Sequence, residues 1–384
     1  MKGLKPLLVV IFFTLLLYWG IEPYAHSKLN PHVDPANYDF AAEDITLAKT
    51  NVEKAEENVE KAEENVKKAE KSGLEDMIKN AKLDLDNANS NLDKYSAFWD
   101  EINQIDLTKG DAATGAETFL MAGCTACHGV ESAGMPAPLG AMDASQAYGV
   151  NPPDLSIAGK IFDDKFLAAL IKDPVMAQKL DHKFGDEVPY PMPGFFGVGG
   201  DVNQELADIV AYLKSIVPSD DGIVELYANK MVAKGELNEN DKTKFIDGLN
   251  KNDKENIINK VIYADACQRC HDMKYDDVYA DGDKLSIAAY LGSTPPDLSM
   301  YIRSRSKEFL HNFLNDTQKM LPGTAMPRVG LNQESEAKVI EYMENIGDSK
   351  KAERESLSIY IMIYFVILAV FAGLWKRKVW SNLH

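Results

Sequence analysis

Cysteine is scarce in this chain. The 384 residues hold four, and all lie inside two pentads, "CTACH" at 124–128 and "CQRCH" at 267–271. No thiol is left for a disulfide framework, so the cysteines have a specific task. Positive charge is also short: 41 Lys and Arg against 59 Asp and Glu leave a net charge of −18. That balance argues against nucleic acid as a partner, since phosphates want a basic face, and it suits basic partners drawn in by long-range attraction. Long apolar runs are confined to the two ends, and between them lies a chain with ordinary globular composition, 45% hydrophobic.

The apolar ends read as membrane spans. Leu357–Trp375 is 19 residues without a charge and runs into Lys376, Arg377 and Lys378. About 20 such residues cross a ~30 Å hydrocarbon core, and flanking cations and an interfacial Trp favour a span over a buried helix. Leu7–Ile21 follows Lys2 and Lys5. A secretory signal would look similar, but the best cleavage site after it is a weak "PYA" ending at Ala25, so the segment reads as a retained span. The expected spans are 1–22 and 357–376. The positive-inside rule puts both termini in the cytoplasm and everything from about Glu22 to Glu355 on the outer face.

Residues 41–100 have another character. "NVEKAEENVEKAEENVKKAEK" (51–71) is a seven-residue repeat. Ile45, Ala48, Val52, Ala55, Val59, Ala62, Val66 and Ala69 form one apolar seam at 3,4 spacing. Gly73 interrupts it, and Ile78, Ala81, Leu85, Ala88, Leu92 and Tyr95 resume it. Two seams joined by a tight turn predict an antiparallel coiled-coil hairpin, reaching roughly 45 Å at 1.5 Å per residue. Such an arm should be mobile unless something holds it, because isolated helices are marginal in water.

The remainder is an internal duplication, 101–218 and 219–347. Each half carries a pentad, a "PPDLS" (152–156 and 295–299), a Phe-Leu pair (166–167 and 309–310), a Met-Pro and an amphipathic closing helix. An offset of 143 residues holds from Cys124/Cys267 through the Phe-Leu pairs and drops to 134 at Met192/Met326. The second half has extra helix-like sequence (221–262) before its pentad. The whole predicts an all-α chain: two tandem domains, one around each pentad, a helical arm and two spans.

C-x-x-C-H is the attachment pattern of c-type haem. Cys124 and Cys127, and Cys267 and Cys270, stand one helical turn apart, as the two porphyrin vinyl groups require. His128 and His271 are then carried to the iron as proximal ligands. Zinc is the alternative for C-x-x-C pairs, but both pentads carry the His and both have a Met-Pro downstream. Two covalently bound haem c groups are therefore expected. A Met thioether at the sixth position closes the iron and raises its potential. Met192 in "YPMPGF" and Met326 in "TAMPRVG" occupy matching Pro/Gly-rich loops. Met135, Met142, Met176 and His182 are rivals in the first half, and Met320 in the second. PPDLS offers a rigid turn with an Asp placed to begin a helix. Pro153 and Leu155, and Pro296 and Leu298, are expected to wall the two haem pockets.

C-x-x-C-H, then PPDLS, then Met-Pro resembles cytochrome c1, the haem subunit of the quinol–cytochrome c reductase (cytochrome bc1) complex. The tail "LWKRKVWSNLH" resembles the end of the cytochrome c1 anchor. The likeness covers both haem units and the last helix, not the arm. Ordinary cytochrome c1 has one haem, so this chain looks like the dihaem subunit of some bacterial bc1 complexes. The resemblance implies a bacterial inner-membrane protein with its bulk in the periplasm. It implies partnership with cytochrome b and the Rieske iron–sulfur subunit, and a soluble cytochrome c or terminal oxidase as acceptor. Such a subunit carries electrons in the respiratory chain without being catalytic alone. The cytochrome subunit of a cbb3-type oxidase is a neighbouring reading, disfavoured by PPDLS and the C-terminal anchor. A dihaem peroxidase needs an open iron, which two Met ligands would exclude.

Overall fold

In a computed structural model, the structure describes residues 4–29, 35–69, 75–185 and 187–383. Helix dominates, and the only strand-type pairings among these residues are isolated bridges. Pro35–Gly347 forms one compact unit and the terminal segments form another.

In the terminal unit, Lys5–Ala25 has a mean hydropathy of 1.8 and Lys351–Asn382 of 2.5, and neither is buried by protein. The first is helical from Leu4 to Leu29 with a π turn at Leu17–Ile21; the second runs unbroken from Lys351 to Leu383. Both are long and apolar enough to cross a membrane, consistent with a membrane-anchored protein.

The arm consists of Phe40–Ala69 and Glu75–Asn103. The turn expected at Gly73 lies outside the described residues. The two helices pack antiparallel: Lys82 pairs with Glu63 at 3.4 Å, and the Trp99 indole donates to Asp44 at 2.9 Å. Ala48, Ala55 and Ala62 are buried, while charged residues on either side of the seam are mostly exposed. Small side chains at alternate seam positions let the backbones approach closely. The paired numbers sum to 145 and 143, so Val59 and Leu85, which sum to 144, should face each other. A disulfide between Val59→Cys and Leu85→Cys is expected to form within a monomer. A cross-linked dimer on a non-reducing gel would mean that the seam pairs between chains instead.

The base of this arm is packed into the protein. Phe40, Ala41, Phe98, Trp99, Ile102 and Ile105 are all buried in the core of the first unit. Phe40 packs on Phe166 with ring centroids 5.2 Å apart. The first unit's core thus begins in the arm, which the heptad pattern alone does not reveal.

In each half of Pro35–Gly347, the one with the first pentad and the one with the second, a leading helix crosses a closing helix. Ala112–Met121 crosses Val202–Ser215 so closely that a Cβ on Gly115 would lie 1.9 Å from the Asp208 carbonyl oxygen. Lys251–Tyr263 meets Gln333–Gly347 through Tyr263 and Tyr342 at 4.8 Å and through Asn259 and Glu341 at 3.2 Å. Of the extra sequence ahead of the second pentad, Asp220–Ala233 buries Ile223 and Val224 in the second core. The two pentad-bearing halves of Pro35–Gly347, called below the first and second unit, interlock: Phe162 bridges Leu331, the Asp163 N–H donates to the Gly330 carbonyl at 3.2 Å, and Asn332 N–H to Ile161 at 2.9 Å. Gly330 has φ +75° and lies against the Phe166 ring, where a Cβ would fall within 1.9 Å of a ring carbon. Only glycine fits both demands.

Candidate haem sites

The two pentads end their leading helices differently but reach the same geometry. In the first, Gly123 takes a left-handed conformation, φ 75°, and a 3-10 turn carries Cys124–Ala126. In the second, the helix continues through a π turn, Ala264–Gln268. The His128 N–H then donates to the Cys124 carbonyl at 3.0 Å, and the His271 N–H to that of Cys267 at 2.9 Å.

Each imidazole is held by PPDLS. His128 Nδ1 lies 2.9 Å from the Pro153 carbonyl oxygen, and His271 Nδ1 lies 2.8 Å from that of Pro296, each across 25 residues. The carbonyl can only accept, so Nδ1 carries the proton and Nε2 keeps its lone pair for a metal. Burial pushes both imidazoles below their ordinary value, against a smaller pull upward from the proline carbonyls. Both are therefore neutral at pH 7, as iron ligation needs.

The rest of the pentapeptide clamps the turn after each pentad. Leu155 N–H donates to Gly129 at 2.8 Å and Leu298 N–H to Asp272 at 2.9 Å. Asp154 accepts from the Glu131 N–H at 3.1 Å and from the Ser156 N–H at 2.9 Å; Asp297 accepts from Lys274 at 3.3 Å and Ser299 at 3.1 Å. Ser156 Oγ takes the Ser132 N–H at 2.9 Å, and Ser299 Oγ that of Tyr275 at 3.1 Å. The clamped turns are closed by the bridges Val130–Met135 and Met273–Val278. Asp154 does not begin a helix: the following one, Ala158–Ile161, has Ile157 at its N-cap and no side-chain cap. Its carboxylate instead satisfies the Glu131 N–H, 23 residues earlier, and the Ser156 N–H of its own pentapeptide. The pentapeptide recurs because this whole frame recurs at the 143-residue offset.

Cys124 and Leu155 pack against the first core; Cys267 lies in the second, and Leu298 and Met326 pack against that core. Burial raises the Cys124 thiol to about 11 and the Cys267 thiol to about 12, so both stay protonated at neutral pH. Among the described residues no three His, Cys, Asp or Glu side chains converge as a metal cage. Paired thiols and a neutral, tautomer-fixed imidazole against apolar walls fit a covalently attached haem. Met192 is half-buried in a loop anchored by the Phe195 N–H on Ile171 at 3.0 Å and the Tyr190 hydroxyl on Gln178 at 3.2 Å. It is not among the residues packed on the first core, whereas its rival Met176 is buried there. Met176 aligns with Lys319 at the 143-residue offset, so it has no counterpart in the second unit. Met135 belongs to the turn bridge, and Met142 and His182 are exposed. Met320 ends the short helix Thr317–Met320.

Sequence reasoning missed Arg269, the variable residue of the second pentad. Its guanidinium reaches the Asn151 carbonyl at 3.5 Å and lowers His128 of the other pentad electrostatically, after burial. The two candidate sites are therefore neighbours.

Residues 112–216 match the cytochrome c family. This span holds the first pentad, the first PPDLS, Met192 and the closing helix, and the match supports covalently bound haem c there. The chain is all-α and contains a cytochrome c domain. No curated protein gives a significant match. Among solved structures, a chain of a "Hyperthermophilic respiratory Complex III" is similar at 21% identity, over 34% of this chain and 77% of that one, with a TM-score of 0.27.

Proposed function

We propose that this chain is a membrane-anchored dihaem c-type cytochrome, the electron-carrying subunit of a bc1-type quinol–cytochrome c reductase. The observation that carries the dihaem reading is the repeated frame of hydrogen bonds around His128 and His271, built from the same residue types at one offset. When bound, haem c supplies a one-electron iron couple whose potential is raised by a thioether ligand.

Cys124, Cys127, Cys267 and Cys270 hold the two groups covalently. Pro153 and Pro296 fix the tautomer of the proximal imidazoles and keep Nε2 available. Met192 and Met326 would supply thioether ligands to the two irons, which suits electron transfer without bond making. Pro153, Leu155, Pro296 and Leu298 contribute to the pocket walls. The chain accepts electrons from a Rieske subunit and delivers them to a soluble cytochrome c or a terminal oxidase. The bc1 assignment draws on PPDLS and the basic C-terminal tail. Both termini are cytoplasmic and the haem units periplasmic in this reading.

Purification of the native complex in mild detergent, with its subunits identified by mass spectrometry, tests the assignment. Co-purification with cytochrome b and an iron–sulfur protein is the expected outcome. Association with oxidase catalytic subunits instead would refute it.

A further inference from the structure

We infer that Arg328 is a positioning residue for the Met326 loop, and that the base of the arm holds it in place through Asp44. The inference rests on the reading of Met326 as sixth ligand of the second haem. Arg328 follows Met326 by two residues, and its side chain is fully buried. Its two terminal nitrogens donate to the two Asp44 oxygens at 2.8 and 2.5 Å, and one of them also donates to Asp316 at 2.8 Å. The guanidinium lies over the Phe40 ring at 5.2 Å, and the Arg328 backbone N–H donates to Gln178 of the first unit at 3.1 Å. Lys179 completes the cluster, 3.1 Å from Asp44 and 2.7 Å from Asp316. Two cations and two carboxylates balance. From the other side, the Thr317 hydroxyl donates to the Met326 carbonyl at 3.0 Å.

Asp44 belongs to neither haem unit. It comes from the first arm helix, and the second arm helix orients it through Trp99. A planar guanidinium gripped at both ends by a carboxylate resists rotation in a way that a single hydrogen bond does not. The first unit has no equivalent: Gly194 stands two residues past Met192. A disturbance at the arm base therefore reaches the Met326 loop directly through Arg328, whereas the Met192 loop has no such ion pair and touches the cluster only through Gln178, next to Lys179.

The test uses the full-length, haem-loaded chain and follows the near-infrared Met–iron band alongside the far-UV helix signal during denaturant titration. Arg328→Lys keeps the charge and loses the fork. Asp44→Asn paired with Lys179→Met keeps the cluster neutral and weakens the fork's partner. Thr317→Val releases the loop from its other side and serves if either of these fails to accumulate. Half of the band should be lost while helix content and the other half persist, a rise of about tenfold or more in the ligand-free population of one haem. Retention of the whole band at wild-type denaturant concentrations would overturn the inference, as would loss of both halves together with the helix signal. Met326→Ala separates the two levels. If it leaves the band whole, the ligand reading has failed and the inference falls with it. If it removes half and Arg328→Lys does not, the inference alone is wrong.

Discussion

Met192→Ala and Met326→Ala should each remove half of the near-infrared Met–iron band and leave the other half unchanged. The two pentads border separate apolar cores, the first built around Phe119, Phe166 and Leu206 and the second around Tyr263, Ile340 and Met343. A loss in one loop therefore need not spread. Without the thioether, an iron held there would be open to added ligands and its potential would fall. The double variant should show no Met band and bind carbon monoxide at both irons when reduced. His182→Ala should change nothing, because that ring is exposed. A change in the first haem on His182→Ala would transfer the ligand role from Met192 to His182.

Asp44→Ala should be the most destabilising single substitution at the arm base. It leaves Arg328 and Lys179 facing Asp316 alone, in a site closed to water. Removing one partner of a buried ion pair costs about 3–5 kcal/mol, because the surviving charges stay desolvated. The Trp99 indole loses its acceptor as well. Burial would raise the Asp316 carboxyl, but the Arg328 and Lys179 charges outweigh it and hold the carboxyl below its ordinary 3.8. Its contribution to stability is thus present above pH ~4 and lost as pH falls through the depressed value. Denaturant unfolding followed by circular dichroism measures the cost. A loss below about 1 kcal/mol would place the cluster in contact with water. Deleting the distal arm, 51–92, leaves this cluster intact.

What could be read from the sequence was whatever repeats or is local. The seam from Ile45 to Ala62 declares itself through its period, and its positions are all buried or half-buried in the structure. The pentads, PPDLS and the Met-Pro loops are short motifs with their chemistry written in adjacent residues. What could not be read depends on residues far apart in the chain. Asp154 looked like a helix start because Asp after Pro often is one; its true partner, the Glu131 backbone, lies 23 residues away. Asp44 and Arg328 are 284 residues apart and carry no periodic signal. The grip of Phe40 and Trp99 on the first core was hidden because the heptad pattern accounts for their neighbours without them.

Intact mass of the purified chain under denaturing conditions tests the central claim most directly, since thioether bonds survive unfolding. The account expects two haem increments on every molecule. A single increment, or a chain carrying zinc in place of haem, would contradict it.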